Sequence, residues 1–391
     1  LGFSMRTLGD IQRIGILTGG GDCPGLNAVI RSVTREALFA GLEVFGIEDG
    51  FLGLIEDRVR PLSHDNVSNI LGQGGTILGT SNKANPVKFA VGQEPDGSPR
   101  FADVSDRCLR TLETRSIDAL VVIGGDGSMA CAHALAGRGG RAARIIGVPK
   151  TIDNDIVGSD LTFGFLSAVD IATQAIDRVT TTAASHHRVM VVEVMGRNAG
   201  WIALYAGVAS GSDVILIPEI PFHLDAVARA VKERIRIGRR HTIVCVAEGA
   251  RVGPPTSGNS RGQEQVAWRI DPTSPDPVRL GGVSRVIAES VELLTGVESR
   301  WVVLGHTQRG GDPTPEDRLL GTLMGHHAMT LLRGRRFGHM VAIRGQLAPS
   351  ALSEVPLEVA AQGQRTIPVG AHVHPLIDAA RGVGTRFGDE P

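Results

Sequence analysis

The sequence predicts an α/β protein: two doubly wound, mainly parallel sheets with helices on both faces. Three observations lead there. Short β-branched runs alternate with helical patterns along most of the 391 residues, the mark of strand–helix–strand units. The strand candidates are nearly continuous in apolar residues, as parallel strands are when both faces are covered. Glycine, at 51 residues and with no collagen-like period, falls in turns and in places of close backbone approach, including the ends of strands.

In chain order, Ile14–Thr18 reads as the first strand. Leu26, Ile30, Val33 and Ala37 then recur at helical spacing until Gly41 stops the helix. Further strands are expected at Glu43–Ile47, Leu120–Ile123, Ile145–Val148, Val189–Val194, Val214–Ile217, Thr242–Ala247 and Trp301–Leu304. Leu224, Val227, Val231 and Ile235, spaced three, four and four apart, mark one of the intervening helices. The stretch from Arg251 to Gly281, rich in Pro, Gly, Ser and Asp, reads as a loop or insertion. In the tail from Gln364 to Pro391, a short helical pattern around Leu376 to Ala380 turns polar; it either packs on the body or reaches a neighbouring subunit.

Composition removes several functions. With 40 Lys and Arg against 41 Asp and Glu, the formal charge is −1. No basic excess or tail favours nucleic acid or an anionic membrane. No apolar run approaches the roughly 18 residues of a membrane span. The four scattered cysteines, Cys23, Cys108, Cys131 and Cys245, form no C-x-x-C pair, which suits a reduced, cytoplasmic protein. Leu1 to Ser4 precede Met5, show no signal-peptide pattern and read as an artificial remnant.

Three segments carry chemistry. Gly19-Gly20-Gly21-Asp22, followed by Pro24 and Gly25, lies between a strand and a helix. Such a turn brings backbone N–H groups and the positive helix end to phosphate oxygens. It lacks the Gly-Lys-Ser/Thr of a P-loop, and Pro24 stands where the dinucleotide fingerprint needs its third glycine. Gly124-Gly125-Asp126-Gly127-Ser128 repeats the arrangement; Asp126 can hold Mg²⁺ through water beside phosphates or simply cap the helix. Pro149-Lys150-Thr151-Ile152-Asp153-Asn154-Asp155 places two carboxylates two residues apart on an irregular segment. One can abstract a proton while the other stays near a metal, although a solvated Asx-rich turn would look alike.

Cations gather at strand ends: Arg188, the Met195-Gly196-Arg197 segment, and Arg300, His306 and Arg309 around Trp301–Leu304. Guanidinium forks pair bidentately with phosphate, though a lone arginine is more often a surface charge. Glu248, ending Thr242–Ala247, can accept hydrogen bonds from sugar hydroxyls. His186, His187, His326 and His327 lack metal-ligand spacing and read as structural.

Taken together, Gly15–Arg31 (GILTGGGDCPGLNAVIR), Gly124–Ser128, Pro149–Asp155, Val192–Gly200 (VEVMGRNAG) and Leu304–Pro313 (LGHTQRGGDP) resemble, in this order, the 6-phosphofructokinases. The similarity runs from about Arg13 to Gln362, interrupted after Glu248. The resemblance implies transfer of a phosphoryl group to the 1-hydroxyl of fructose 6-phosphate, with Asp153 as general base and Thr151 and Asp155 flanking the moving group. Arg197 would stabilise the charge that builds on it, and Asp126 would organise Mg²⁺. Gly20, Gly21, Gly125, Gly127, Ser128 and Lys150 would hold the donor, with Lys83 substituting for a customary arginine. Arg188, Met195, Gly196, Arg197, Glu248, Arg300, His306 and Arg309 match the sugar-phosphate site. Positions like Arg188 and Arg300 come from a neighbouring subunit in the family, which implies a homo-oligomer, a tetramer or a dimer.

The same resemblance implies a donor domain of residues 5–164 with 305–350, a sugar-phosphate domain of 165–304 with 351–362, and a C-terminal extension of 363–391. Two positions bear on the donor. Pyrophosphate users carry Asp where this chain has Gly127, whereas Lys150 is typical of pyrophosphate users. A side chain at Gly127 would exclude more than an extra lysine does, so ATP is expected and pyrophosphate is the alternative. Arg35 matches one position of the bacterial effector site, but His64, Thr180 and Ile237 replace its cations, so strong control by ADP or phosphoenolpyruvate there is not expected. A non-catalytic sugar-phosphate-binding paralogue would break a base or metal position, and Asp126, Asp153, Asp155 and Arg197 are all intact.

Overall fold

The computed structural model describes residues 9–253, 264–270, 278–345 and 351–390. They divide into two compact units. One runs to Leu166 and takes in Arg309–Gly363; the other begins at Ser167 and takes in Val278–Gln308 and the tail from Gln364.

The first unit is built on a seven-stranded sheet. Its order is Leu352–Pro356, His339–Ile343, Ile145–Pro149, Ala119–Gly124, Arg13–Thr18, Glu43–Ile47, Val59–Leu62. The five inner strands run parallel and the two outer ones antiparallel. From Arg13–Thr18 the chain steps outward to Glu43–Ile47, then returns to the other flank with Ala119–Gly124. That reversal is a topological switch point, and ligand crevices form at the carboxyl ends of the strands around it. The helix Leu26–Phe39 buries Leu26, Ile30, Val33 and Ala37, the residues whose spacing predicts it, and Gly41 follows at φ 80°.

The expected strands form, Glu43–Ile47, Val189–Val194 and Thr242–Ala247 with the expected ends and the others with ends shifted by one or two residues. The sequence does not announce the two antiparallel edges, Val59–Leu62 and Leu352–Pro356, each of which contains a proline. Proline is tolerated at an edge but demotes a strand reading. Pairing of Leu352–Pro356 with His339–Ile343 also corrects the expected boundary: residues 351–362 belong to the first unit, not to the second. A hairpin of Phe89–Gln93 and Pro99–Ala102 adds a further unexpected pair.

The second unit holds a four-stranded parallel sheet ordered Ser299–Val303, Val189–Val194, Thr242–Ala247, Val214–Leu216. The helix Leu224–Arg236 covers it with Val227 and Val231, while Ile235, expected on the same face, is 45% exposed. Where a loop is expected after Glu248, Arg251–Val252 pairs with Glu264–Gln265 and Ala267–Ile270 with Val278–Leu280; residues 254–263 and 271–277 lie outside the described residues. The tail settles on its own unit. Its helix is Pro375–Gly382, Phe387 is fully buried, and Arg386 exchanges backbone hydrogen bonds with Asp213 and Ile215 beside the sheet edge (3.0 and 2.9 Å). All four cysteines are free and buried. Among the described residues no helix is long and apolar enough to cross a membrane.

Candidate functional site

In the first unit, the two glycine turns leave neighbouring strands at the switch point. At Gly19 and Gly124 the chains come too close for a side chain. A Cβ on Gly19 would lie 2.6 Å from Ser128 Oγ, and Gly20 takes φ 79°, which favours glycine. The Gly20 N–H is held by the Ser81 carbonyl (3.1 Å) and its own carbonyl accepts from Thr80 Oγ1 (2.5 Å), so the segment leading to exposed Lys83 braces the turn. Asp126 and Gly127 open the helix Asp126–Ala136 behind the extended cap Gly125. A Cβ on Gly127 would meet nothing within 4 Å. Arg309 closes onto the first turn, donating to the Asp22 carbonyl at 3.2 Å and placing its guanidinium 2.8 Å from where a Cβ on Gly21 would sit.

Lys150 is buried and donates to the Gly21 carbonyl, and burial holds its amine below the usual lysine range. Beyond it, Thr151, Asp153 and Asp155 are buried, as a solvated turn would not be. Thr162, absent from the sequence reading, and Asn154, which it gave no role, fix this segment. Thr162 donates to the Thr151 carbonyl (2.8 Å), and Asn154, at φ 51°, accepts the Thr162 N–H (3.0 Å) and donates to the Asp160 carbonyl (3.2 Å). Asparagine tolerates that left-handed backbone, which gives the central residue of Asp-Asn-Asp its purpose. Thr151 Oγ1 accepts the Asp153 N–H (3.0 Å). Burial first, then the charges of Asp153 and Asp126, push the Asp155 carboxyl up to about 7. These three carboxylates are therefore close enough to repel. Nearby Cys23 is inert, its thiol pushed up to about 12 by burial.

In the second unit, Met195, Gly196, Arg197 and Glu248 follow the carboxyl ends of two paired strands, and exposed His306 follows a third. Arg197 is left-handed (φ 50°) and its N–H bonds Glu248 Oε1 at 3.1 Å. Gly249 must be glycine, since its Cβ would lie 2.8 Å from the Arg197 carbonyl carbon and closer still to the oxygen. The fully buried Gln308, missed in the sequence, accepts the Met195 N–H at 3.4 Å. Arg188 and Arg300 stand elsewhere. They share Glu298 (2.8 and 2.6 Å) at the amino ends of the strands Val189–Val194 and Ser299–Val303. Six strand residues at about 3.3 Å each put them roughly 20 Å from Arg197 along the sheet. The structure therefore joins these two arginines to each other but not to Arg197 and Glu248.

Glycine turns with paired carboxylates at the switch point of one sheet, and an arginine–glutamate cluster at the strand ends of another, suit phosphoryl transfer. A family model described as Phosphofructokinase matches residues 13–332. The chain is 47% identical over 382 residues to ATP-dependent 6-phosphofructokinase 2 of Clostridium perfringens, covering 97% of this chain and 99% of that one. It is also 45% identical over 358 residues to a pyrophosphate–fructose 6-phosphate 1-phosphotransferase of Amycolatopsis methanolica, covering 91% and 96%. The solved structure of Pichia pastoris phosphofructokinase in the T-state matches with a TM-score of 0.72 at 32% identity; it covers 90% of this chain, which spans 36% of that longer one. The chain belongs to the phosphofructokinase family.

Proposed function

We propose that this protein is an ATP-dependent 6-phosphofructokinase, converting fructose 6-phosphate to fructose 1,6-bisphosphate. The observation that carries the donor assignment is the open space at Gly127, in the first turn of a helix whose N-terminus suits donor phosphates. Relatives named for ATP reach 47% identity over 97% of this chain, and the pyrophosphate-named relative matches less of it, 45% over 91%. Lys150 is consistent with ATP: its ammonium is engaged by the Gly21 carbonyl, so it steadies the glycine turn and adds positive charge without obstructing the space at Gly127.

Asp153 takes the proton from the 1-hydroxyl of the sugar, buried and oriented by its N–H bond to Thr151. Thr151 and Asp155 flank the transferred group, and Arg197 offsets the charge that develops on it. Gly20, Gly21, Gly125, Ser128 and Lys83 hold the donor; Met195, Gly196, Glu248, His306 and Arg309 hold the sugar phosphate. Mg²⁺ fits this donor set. No group of three potential ligands is preassembled among the described residues, but Mg²⁺ commonly takes one or two carboxylates plus substrate phosphates and water. Asp126 would hold it, and the mutual repulsion of Asp126, Asp153 and Asp155 is the field a cation relieves. When bound, Mg²⁺ neutralises phosphate charge; chelation should abolish turnover.

The position of Arg188 and Arg300 supports a homo-oligomer, a tetramer or a dimer, in which they serve a neighbouring subunit's sugar phosphate. Sedimentation showing a fully active monomer would remove that reading. A cytoplasmic location accords with four reduced cysteines. Phosphorus NMR of the product tests the reaction itself: the account expects phosphomonoesters at C1 and C6, and a product without the C1 ester contradicts it.

A further inference from the structure

The loop that carries Arg197 adopts a backbone it would not choose alone. Arg197 lies at φ 50°, a left-handed backbone that a non-glycine residue keeps only where the surroundings impose it, beside Gly196 at φ 145°. On one flank, Glu248 accepts the Arg197 N–H. On the other flank the loop is gripped by a segment near the end of the chain. Asn198 Nδ2 donates to Gln364 Oε1 at 3.2 Å, and Asn198 Oδ1 accepts from Gln265, which also bonds the Gly249 carbonyl (3.3 and 2.9 Å). The Gly200 N–H donates to both oxygens of Glu219 (3.0 and 3.1 Å), and the same carboxylate accepts the Ile367 N–H at 2.9 Å. Trp201, almost fully buried, donates Nε1–H to the Arg365 carbonyl at 3.0 Å. The Arg365 guanidinium lies 4.1 Å from the centre of its ring, and His374 meets that ring edge-on at 5.3 Å.

We propose that residues 364–374 form a strap that sets the geometry of the Arg197 loop, with Glu219 as the joint between loop and strap. This rests on the reading of Arg197 as the group that offsets charge on the transferred phosphoryl. Gln364, Trp201 and Glu219 are positioning residues, since none belongs to the groups assigned to donor or sugar and each acts through the loop. The strap pins the loop at Asn198, Gly200 and Trp201, immediately after Arg197. Loosening it lets Arg197 leave its left-handed backbone and carries the guanidinium off target. Glu248 and His306 follow two other strands and are not pinned by the strap, so the sugar still binds. The loss therefore falls on kcat and not on KM.

The test uses the full-length Gln364→Ala, Gln364→Glu and Trp201→Phe variants. Gln364 is partly exposed, so its substitution spares the core even if that of Trp201 does not. Steady-state kinetics are combined with hydrogen exchange over residues 195–204 and with circular dichroism. Gln364→Ala should lower kcat about tenfold or more, with the KM for fructose 6-phosphate within about threefold, faster exchange at Gly200 and Trp201, and an unchanged fold. Gln364→Glu keeps the acceptor oxygen and should restore both readouts. A folded Gln364→Ala protein with wild-type kcat, or with reduced kcat but wild-type exchange, overturns the strap. If the wild type does not phosphorylate fructose 6-phosphate, the functional reading falls, while the exchange comparison still decides whether the strap orders the loop.

Discussion

Gly249→Ala should cripple turnover through a residue that touches no substrate. Its added methyl would sit 2.8 Å from the Arg197 carbonyl carbon. Carbon contacts settle at roughly 3.5–4.0 Å, so that carbonyl must withdraw by about 0.7 Å or more, and no rotamer change can relieve a clash between a Cβ, whose place the backbone sets, and a backbone carbonyl. A misplacement near 1 Å can cost about a hundredfold in rate. The expectation is a fall in kcat of about 10- to 100-fold, or roughly 1.4–2.7 kcal/mol of transition-state stabilisation. Overpacking adds a stability cost of about 1–3 kcal/mol. Gly382→Ala, where the methyl meets open space, is the control and should be neutral. The assay is steady-state kinetics with saturating donor, alongside thermal unfolding. A Gly249→Ala enzyme with kcat within twofold of wild type would show that the Arg197 backbone is not held as described.

Gly127→Asp should fold normally, since the new side chain enters open space at a helix start that favours acidic residues. Its charge at about 5 Å from a donor phosphate costs roughly 1–3 kcal/mol, so the KM for ATP should rise about tenfold or more while that for fructose 6-phosphate holds; an unchanged KM for ATP would contradict the placement of the donor. Asp153→Ser should reduce turnover by about 10²–10⁴-fold with little loss of sugar binding, and near-normal turnover would remove Asp153 as the base. The Asp155 carboxyl keeps its proton to about 7 when folded, against 3.8 for the ordinary aspartate of an unfolded chain, so the folded state binds more protons between those pH values. Its contribution to stability is complete below about pH 4 and is lost as pH rises through about 7. Metal-free wild type should therefore lose more thermal stability between about pH 5 and pH 8 than Asp155→Asn, and parallel profiles would refute the shift.

The parallel strands were readable because burial on both faces leaves unbroken apolar runs such as Val189–Val194, and the glycine turns because they sit where such strands end. Edge strands were not. Val59–Leu62 and Leu352–Pro356 carry proline and face solvent on one side, so hydrogen bonding to a distant partner, not composition, creates them. The acid pair Asp153 and Asp155 was visible as spacing, but its burial depends on Asn154 and Thr162, whose roles appear only once the loop folds back. Gly249 and Gln308 were invisible for the same reason: each matters through contact with a backbone more than fifty residues away in sequence. The division of the arginines was visible only through resemblance, and strand geometry then supplied its physical reason.

The central claim is that an unobstructed Gly127 makes ATP the donor. Its most direct test is kcat/KM for Mg-ATP and for pyrophosphate on one preparation, with fructose 6-phosphate saturating and fructose 1,6-bisphosphate as the readout. The account predicts efficient turnover with ATP and little or none with pyrophosphate. Turnover with pyrophosphate alone would mean that buried Lys150 and its surroundings, not the space at Gly127, select the donor.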